Sequence, residues 1–405
     1  MHRRVLLTAL IVSLGAGAGV RTSAAGPRGQ FGPIEELGER IFFDSSLSLN
    51  RNQSCASCHA ASIGWTGPES AINATGSVYQ GSVPGRFGNR KPPAAAYAGF
   101  APILHQEQDG TWVGGTFWDG RATGWTLGDP LAEQAQGPFL NPLEQALPSA
   151  SEVVARVCAS DAAHLFERVW GRGACRGDTA QSFERIARSI AAFERSGDVT
   201  AFTSRYDRWL ARGAPLTAQE NLGRQLFQGK AKCSGCHASG ADAAGAPPLF
   251  TDYTFDNLGI PRNPLNPFYY EPSYNAAGTA WIDEGLGGFL RSVGRPYQTE
   301  LGKFQVPTLR NVDLRPRGFA SGDPVKAYGH NGYFKSLAEV VHFYNTRDVL
   351  PTCAPGSPGE RVSCWPAPEY RATVNATELG HLGLTDAEEK AIVAFLGTIS
   401  DDGAL

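Results

Sequence analysis

The sequence predicts a mainly α-helical protein built twice over: two related domains, each a modest set of helices joined by long loops. Three observations carry this. A short helical pattern recurs, as Glu36-Leu37-Gly38-Glu39-Arg40-Ile41-Phe42-Phe43 and again as Asn221-Leu222-Gly223-Arg224-Gln225-Leu226-Phe227-Gln228. Each copy is followed by the same five-residue pattern, Cys-x-x-Cys-His, at Cys55 to His59 and at Cys233 to His237. Glycine and proline, 48 and 27 of 405 residues, are dense between the helical stretches and set the loops.

The repeated pattern is amphipathic in both copies, and Thr217 with Glu220 forms a capping box that starts the second. Phe183, Ile186, Ala187, Ile190 and Phe193 share one face of a helix over Asp178 to Ser196. A last helix starts at Thr385-x-x-Glu388 and carries Ile392, Val393, Phe395 and Leu396. Ser336-x-x-Glu339 starts another, with Leu337, Val340, Val341 and Tyr344 inward. His342 projects from a different face and reads as structural. The exposed linker falls around Arg212-Gly213-Ala214-Pro215, which divides the chain into residues 1–25, 26–212 and 213–405.

The first segment is a secretory signal peptide: a basic start at Arg3-Arg4, an apolar small-residue stretch from Val5 to Val20, and a small-residue exit at Ala24-Ala25. Sixteen residues are short for a bilayer span, which takes ~20 apolar residues, and no later run is apolar enough. The expectation is an exported, periplasmic protein with no membrane span after cleavage. Without Arg3, Arg4 and Arg21 there remain 33 basic and 39 acidic residues, a net of −6. That excludes nucleic-acid binding driven by bulk charge.

Covalent attachment of haem needs two thiols placed for the two vinyl groups and an imidazole on the same turn for the iron. Cys55, Cys58 and His59 meet that demand, as do Cys233, Cys236 and His237. Two CxxC pairs could also make a zinc site, but a histidine directly after both would then be coincidence. The fold class becomes two cytochrome c-like haem domains, pseudo-duplicated, holding two covalently bound haem c groups. The other cysteines, Cys158, Cys175, Cys353 and Cys364, should pair in an oxidising compartment. Bridges 158–175 and 353–364 are the economical choice.

The only methionine is Met1, which leaves with the leader, so neither haem has His/Met ligation. No histidine lies between Ala60 and Leu104, in the loop after the first motif, so the first iron keeps an open position for a small ligand such as peroxide. At the second haem, pattern alone reads Tyr344 first as a core tyrosine with a hydrogen-bonded hydroxyl, and next as a phenolate ligand to ferric iron.

Thr116-Phe117-Trp118-Asp119-Gly120-Arg121-Ala122, Leu131-Ala132-Glu133-Gln134-Ala135, Gly137-Pro138 and Val306-Pro307-Thr308-Leu309-Arg310-Asn311-Val312 resemble the bacterial dihaem cytochrome c peroxidase and MauG family. The resemblance covers essentially all of the chain after the leader. It implies that Trp118 lies between the haems and relays electrons. It implies that Gln134 and Glu144 are polar residues over the peroxide-binding haem, with Glu144 the acid–base in O–O cleavage, and that Pro138 lines that pocket. Tyr344 aligns with the distal ligand of the second haem, a tyrosine in MauG-like members. Ala231 stands where MauG has a surface tryptophan used for hole transfer to its protein substrate.

The family also implies a calcium ion between the domains, although the loop Gly88-Asn89-Arg90-Lys91-Pro92-Pro93 differs from the usual one. The implied activity is reduction of hydrogen peroxide with electrons from a small cytochrome c or cupredoxin. The alternatives are peroxide-driven oxidation of side chains in a partner protein, and a non-enzymatic dihaem electron carrier.

Overall fold

The computed structural model describes residues 31–241, 245–319 and 322–402; the leader lies outside them. Eleven α-helices occur among these residues: α1 Pro33–Phe43, α2 Ser70–Asn73, α3 Pro130–Leu140, α4 Ala150–Ala159, α5 Ala163–Trp170, α6 Thr179–Glu194, α7 Arg205–Leu210, α8 Ala218–Gln228, α9 Gly285–Ser292, α10 Leu337–Thr346 and α11 Asp386–Gly397. Extended structure is confined to isolated bridges and two small antiparallel ribbons, one pairing His105–Gln106 with Trp112–Val113, the other Phe255–Asp256 with Phe304–Gln305. No helix among the described residues is long and apolar enough to cross a membrane.

Both copies of the repeated pattern are helices, α1 and α8, and their glycines show why the pattern recurs. A Cβ on Gly38 would collide with the Ser189 carbonyl and the Phe193 Cβ of α6; a Cβ on Gly223 would collide with the Ala391 carbonyl and the Phe395 Cβ of α11. In each half a glycine lets one helix lie backbone-on-backbone across another. The phenylalanines behind the crossings repeat the match, with Phe42 and Phe193 centroids 5.3 Å apart and Phe227 and Phe395 also 5.3 Å apart.

Each crossing is the centre of its own apolar core. One core gathers α1 and α3 to α6 through Leu37, Ile41, Leu131, Phe139, Val153, Phe166 and Ile186; the other gathers α7, α8, α10 and α11 through Tyr206, Leu226, Phe343 and Ile392. Tyr206 of α7 therefore packs with the second core, ahead of the linker. The capping boxes at Thr217/Glu220 and Thr385/Glu388 form. At α10 the Ser336 hydroxyl accepts from Glu339 N–H, but the Glu339 carboxylate takes the N–H of Lys335, one residue early.

Disulfides join Cys158 to Cys175 and Cys353 to Cys364, the local pairing expected from spacing. Cys158 lies on α4 and Cys175 just past α5, so the first bridge closes a helical hairpin.

The two halves share a polar, cation-rich junction. The Arg310 guanidinium, 2% exposed, donates to both carboxylate oxygens of Asp207 at 2.8 and 2.9 Å. It also lies over the rings of Phe202 and Tyr97. The Tyr97 hydroxyl in turn donates to Asp401 at 2.6 Å. Arg90 spans Asp119 at 2.5 Å and Asp283 at 2.7 Å. Burial works against ionising Asp119, but Arg90 and Arg121 overcome it and hold the carboxyl down at about 2.

Candidate active site

Each CxxCH motif forms one tight turn, Cys55–Ser57 and Cys233–Gly235. The His59 N–H donates to the Cys55 carbonyl at 3.0 Å and the His237 N–H to that of Cys233 at 2.9 Å. The histidine thus rides on the same turn as the thiols. His59 Nδ1 lies 3.1 Å from the Trp65 carbonyl and His237 Nδ1 lies 2.8 Å from that of Phe250. A carbonyl only accepts, so Nδ1 carries the proton and Nε2 is left free for a metal. Burial pushes His59 down to about 4 and lowers His237 as well, so both rings are in the neutral form that ligates iron.

A zinc site would bring both cysteine pairs together. Among the described residues no group of three or more His, Cys, Asp or Glu side chains is placed to hold a metal ion. Each turn instead opens into its own cavity, of about 190 Å³ at the first motif and about 230 Å³ at the second. Two thiols and an oriented imidazole lining a mostly apolar cavity are the donor set that covalent haem requires, and both cavities provide it.

The cavities differ in what faces the histidine. Gln134 and Pro138, one turn apart on α3, line the first, together with Glu144, Arg121 and Trp118. Glu144 follows in the turn after α3, where its Oε1 accepts from Asn141 at 2.6 Å. Burial raises its carboxyl, while Arg121 and the Asn141 hydrogen bond pull the other way. Arg121 is itself held 3.0 Å from Asp119 and lies over the Phe117 ring. His59 is the sole histidine, and no methionine occurs, among the described residues lining this cavity.

Tyr344 and His330 line the second cavity with His237. The Tyr344 hydroxyl makes no hydrogen bond to a described residue. Its phenol is raised far above the usual range by burial, with Cys233 and Asp256 adding to the effect. A core tyrosine would have its hydroxyl paired; this one is turned to the cavity. His342 is structural, bonded to Glu389 and to the Val362 carbonyl. Trp118 lines both cavities, and its indole N–H donates to the Lys91 carbonyl at 2.8 Å.

The structure thus brings Glu144, Gln134, Pro138 and Trp118 to one cavity and Tyr344 to the other. Sequence reasoning missed Arg121, Lys91 and Glu194 in the cavity walls. Glu194 carried a signal: it falls four residues after Ile190, on the apolar face of α6, where a carboxylate is out of place.

Comparison with known proteins gives this geometry a family. The family model described as di-haem cytochrome c peroxidase matches residues 33–214. The methylamine utilization protein MauG of Paracoccus denitrificans is 32% identical over 386 residues, covering 93% of this chain and 92% of that protein. The chain belongs to the dihaem cytochrome c peroxidase and MauG family. The cytochrome-c peroxidase IdrP1 of Denitromonas iodatirespirans is 28% identical, covering 90% of this chain and 80% of that one. Among solved structures, the diheme peroxidase BthA of Burkholderia thailandensis matches with a TM-score of 0.75 at 31% identity, covering 91% of this chain and 86% of that chain. The CxxCH turns of a dihaem family member hold two haem c groups, and the chain is an oxidoreductase that acts on peroxide.

Proposed function

We propose that this family member is a periplasmic peroxidase that reduces hydrogen peroxide with electrons from a small cytochrome c or cupredoxin. The observation that carries the reading is the asymmetry of the cavities. The cavity with His237 is lined by a phenol; the cavity with His59 is lined by a carboxyl, an amide and a proline.

Haem held in the first cavity by Cys55, Cys58 and His59 would supply the redox chemistry for peroxide. The chain's own groups do the rest. His59, oriented by Trp65, is the ligand on the near side. Glu144, half-buried and raised yet near Arg121, accepts the proton of the inner peroxide oxygen and returns it to the outer one, so that water leaves. The Gln134 amide positions the peroxide, and Pro138 keeps that wall free of a competing donor. Peroxide, two electrons and two protons give two waters, and the electrons come from the donor protein. Trp118, in the wall common to both cavities, is the relay between them. Tyr344 would join His237 in holding the second haem.

The two disulfides accord with export to an oxidising compartment. A calcium ion has no part in this reading. The second reading, oxidation of a partner protein, draws support from the identity to MauG. It calls for an aromatic surface residue beside the second cavity, and position 231 is a buried alanine.

The test is EPR and stopped-flow absorbance of the ferric holoenzyme with one equivalent of peroxide. One high-spin and one low-spin haem are expected, with a rapid reaction that Glu144→Gln slows about 10²–10⁴-fold while peroxide binding persists. Two low-spin haems indifferent to peroxide would refute the reading. Turnover with a reduced small cytochrome or cupredoxin separates peroxidase from protein oxidase.

A further inference from the structure

Two buried lysines, Lys91 and Lys326, and the half-buried Lys335 meet at the junction of the halves, and none forms an ion pair with a described carboxylate. Lys335 Nζ donates to the carbonyls of Asn73, Thr75 and Gly332 at 2.8, 2.8 and 2.6 Å and to Ser77 Oγ at 2.9 Å. This is a four-oxygen cage drawn from both halves, of the kind that otherwise encloses a metal ion. Lys326 Nζ lies 2.6 Å from the Asn311 carbonyl. Lys91 Nζ donates to Thr66 Oγ1 and the Pro92 carbonyl, both at 2.8 Å.

Lys91 holds a particular place. It lines both cavities. Its backbone N–H donates to the His330 carbonyl across the junction at 2.8 Å, and its own carbonyl receives the Trp118 indole. The loop that carries it, residues 88–93, is where the family resemblance puts calcium. Calcium takes six to eight oxygens, carboxylates prominent among them. Here Arg90 of the same loop already engages both buried carboxylates, Asp119 and Asp283. The Thr66 and Pro92 oxygens face an ammonium, and a divalent ion beside Lys91 and Lys326 would meet like charge. The residues do not fit calcium.

We propose that the junction between the two cavities is held by the chain's own cations, with the Lys91 ammonium in the position of a bridging metal ion, and that the enzyme needs no calcium there. The inference rests on the cavities being haem sites and not on the identity of the donor. Burial, with Lys335 adding to it, pushes Lys91 down to about 7, so its charge rests on the Thr66 and Pro92 oxygens that accept from it. Carboxylates brought in by bound haem would further favour the charged form. Lys91 is a positioning residue: it acts through the Trp118 hydrogen bond and through the field it sets in both cavities.

The test uses the dihaem holoenzyme. Metal analysis after gel filtration, with ferric EPR and spectroelectrochemical titration before and after EGTA and after added calcium chloride, is expected to show substoichiometric calcium and unchanged spectra and potentials. Lys91→Gln removes the charge and offers a carbonyl oxygen. It is expected to disfavour reduction of the haems about tenfold, or ~59 mV for a one-electron couple, and to make the potentials respond to calcium. Stoichiometric calcium in the wild type, or EPR signals altered by EGTA, overturns the proposal. So does a Lys91→Gln enzyme whose potentials stay at the wild-type values. Should that variant fail to take up haem, the wild-type metal content and chelation response decide alone. They do so whether or not the enzyme turns over peroxide.

Discussion

Glu194, the last residue of α6, is 4% exposed and lines the first cavity, and its Oε2 has no hydrogen-bond partner among the described residues. Burial raises its carboxyl from the ordinary 4.5 to about 8, with Arg195 pulling down and Asp129 pushing up. The folded chain therefore keeps a proton that the unfolded chain releases between those two values. Stability contributed by the neutral carboxyl is complete below pH 4.5 and is lost as pH rises to about 8. At about 1.4 kcal/mol per tenfold change in the equilibrium, the interval amounts to ~5 kcal/mol, a ceiling if the cavity relaxes. Glu194→Gln keeps the shape and removes the ionisation. Denaturant unfolding of both holoenzymes at pH 5 and pH 8 is the assay. The variant should match the wild type at pH 5 and exceed it by several kcal/mol at pH 8. The difference isolates Glu194 from other groups that titrate in this range. An offset equal at the two pH values would refute the argument.

Gly223→Ala should destabilise the second half by at least the 1–3 kcal/mol typical of overpacking, because the added methyl meets a backbone carbonyl that cannot swing away. Gly38→Ala should do the same to the first half, and unchanged melting of either variant would contradict the crossing. Tyr344→Phe removes the oxygen that faces the second cavity; the low-spin ferric EPR signal of that haem should change while the high-spin signal persists, and an unaltered spectrum would exclude ligation. Replacing Cys158 and Cys175 together by serine opens a loop of 17 residues and should cost about 3 kcal/mol, measured as a lower denaturation midpoint under non-reducing conditions.

What could be seen in the sequence was what is local. Both CxxCH turns, the caps at Thr217 and Thr385, the apolar face of α6 and the two short-range disulfides each lie within a few turns of chain, where spacing encodes geometry. The repeat was legible because Leu-Gly followed by aliphatic-Phe is forced twice by the same helix crossing. The site residues Trp118, Gln134, Pro138 and Glu144 came from resemblance, since spacing alone does not distinguish a cavity tryptophan from a core one or a cavity carboxylate from a solvated one. What escaped was joined over distance. Arg90 meets Asp283 193 positions away, and Lys335 meets the carbonyl of Asn73 262 positions away. No periodicity records such meetings. The shared register of Ser336 and Glu339 promised a full capping box and yielded half of one, because the neighbouring Lys335 N–H took the carboxylate.

The hydrogen bond from Tyr97 to Asp401 also orders events in time. Tyr97 forms part of the first cavity's wall, yet the carboxylate that holds its hydroxyl is added 304 positions later. Cys55 and Cys58 are thus made long before this tie can form. Until then the Tyr97 hydroxyl is held only by the Phe202 N–H that donates to it. A chain that stops short of residue 401 would carry every helix of its first half and lack this one tie.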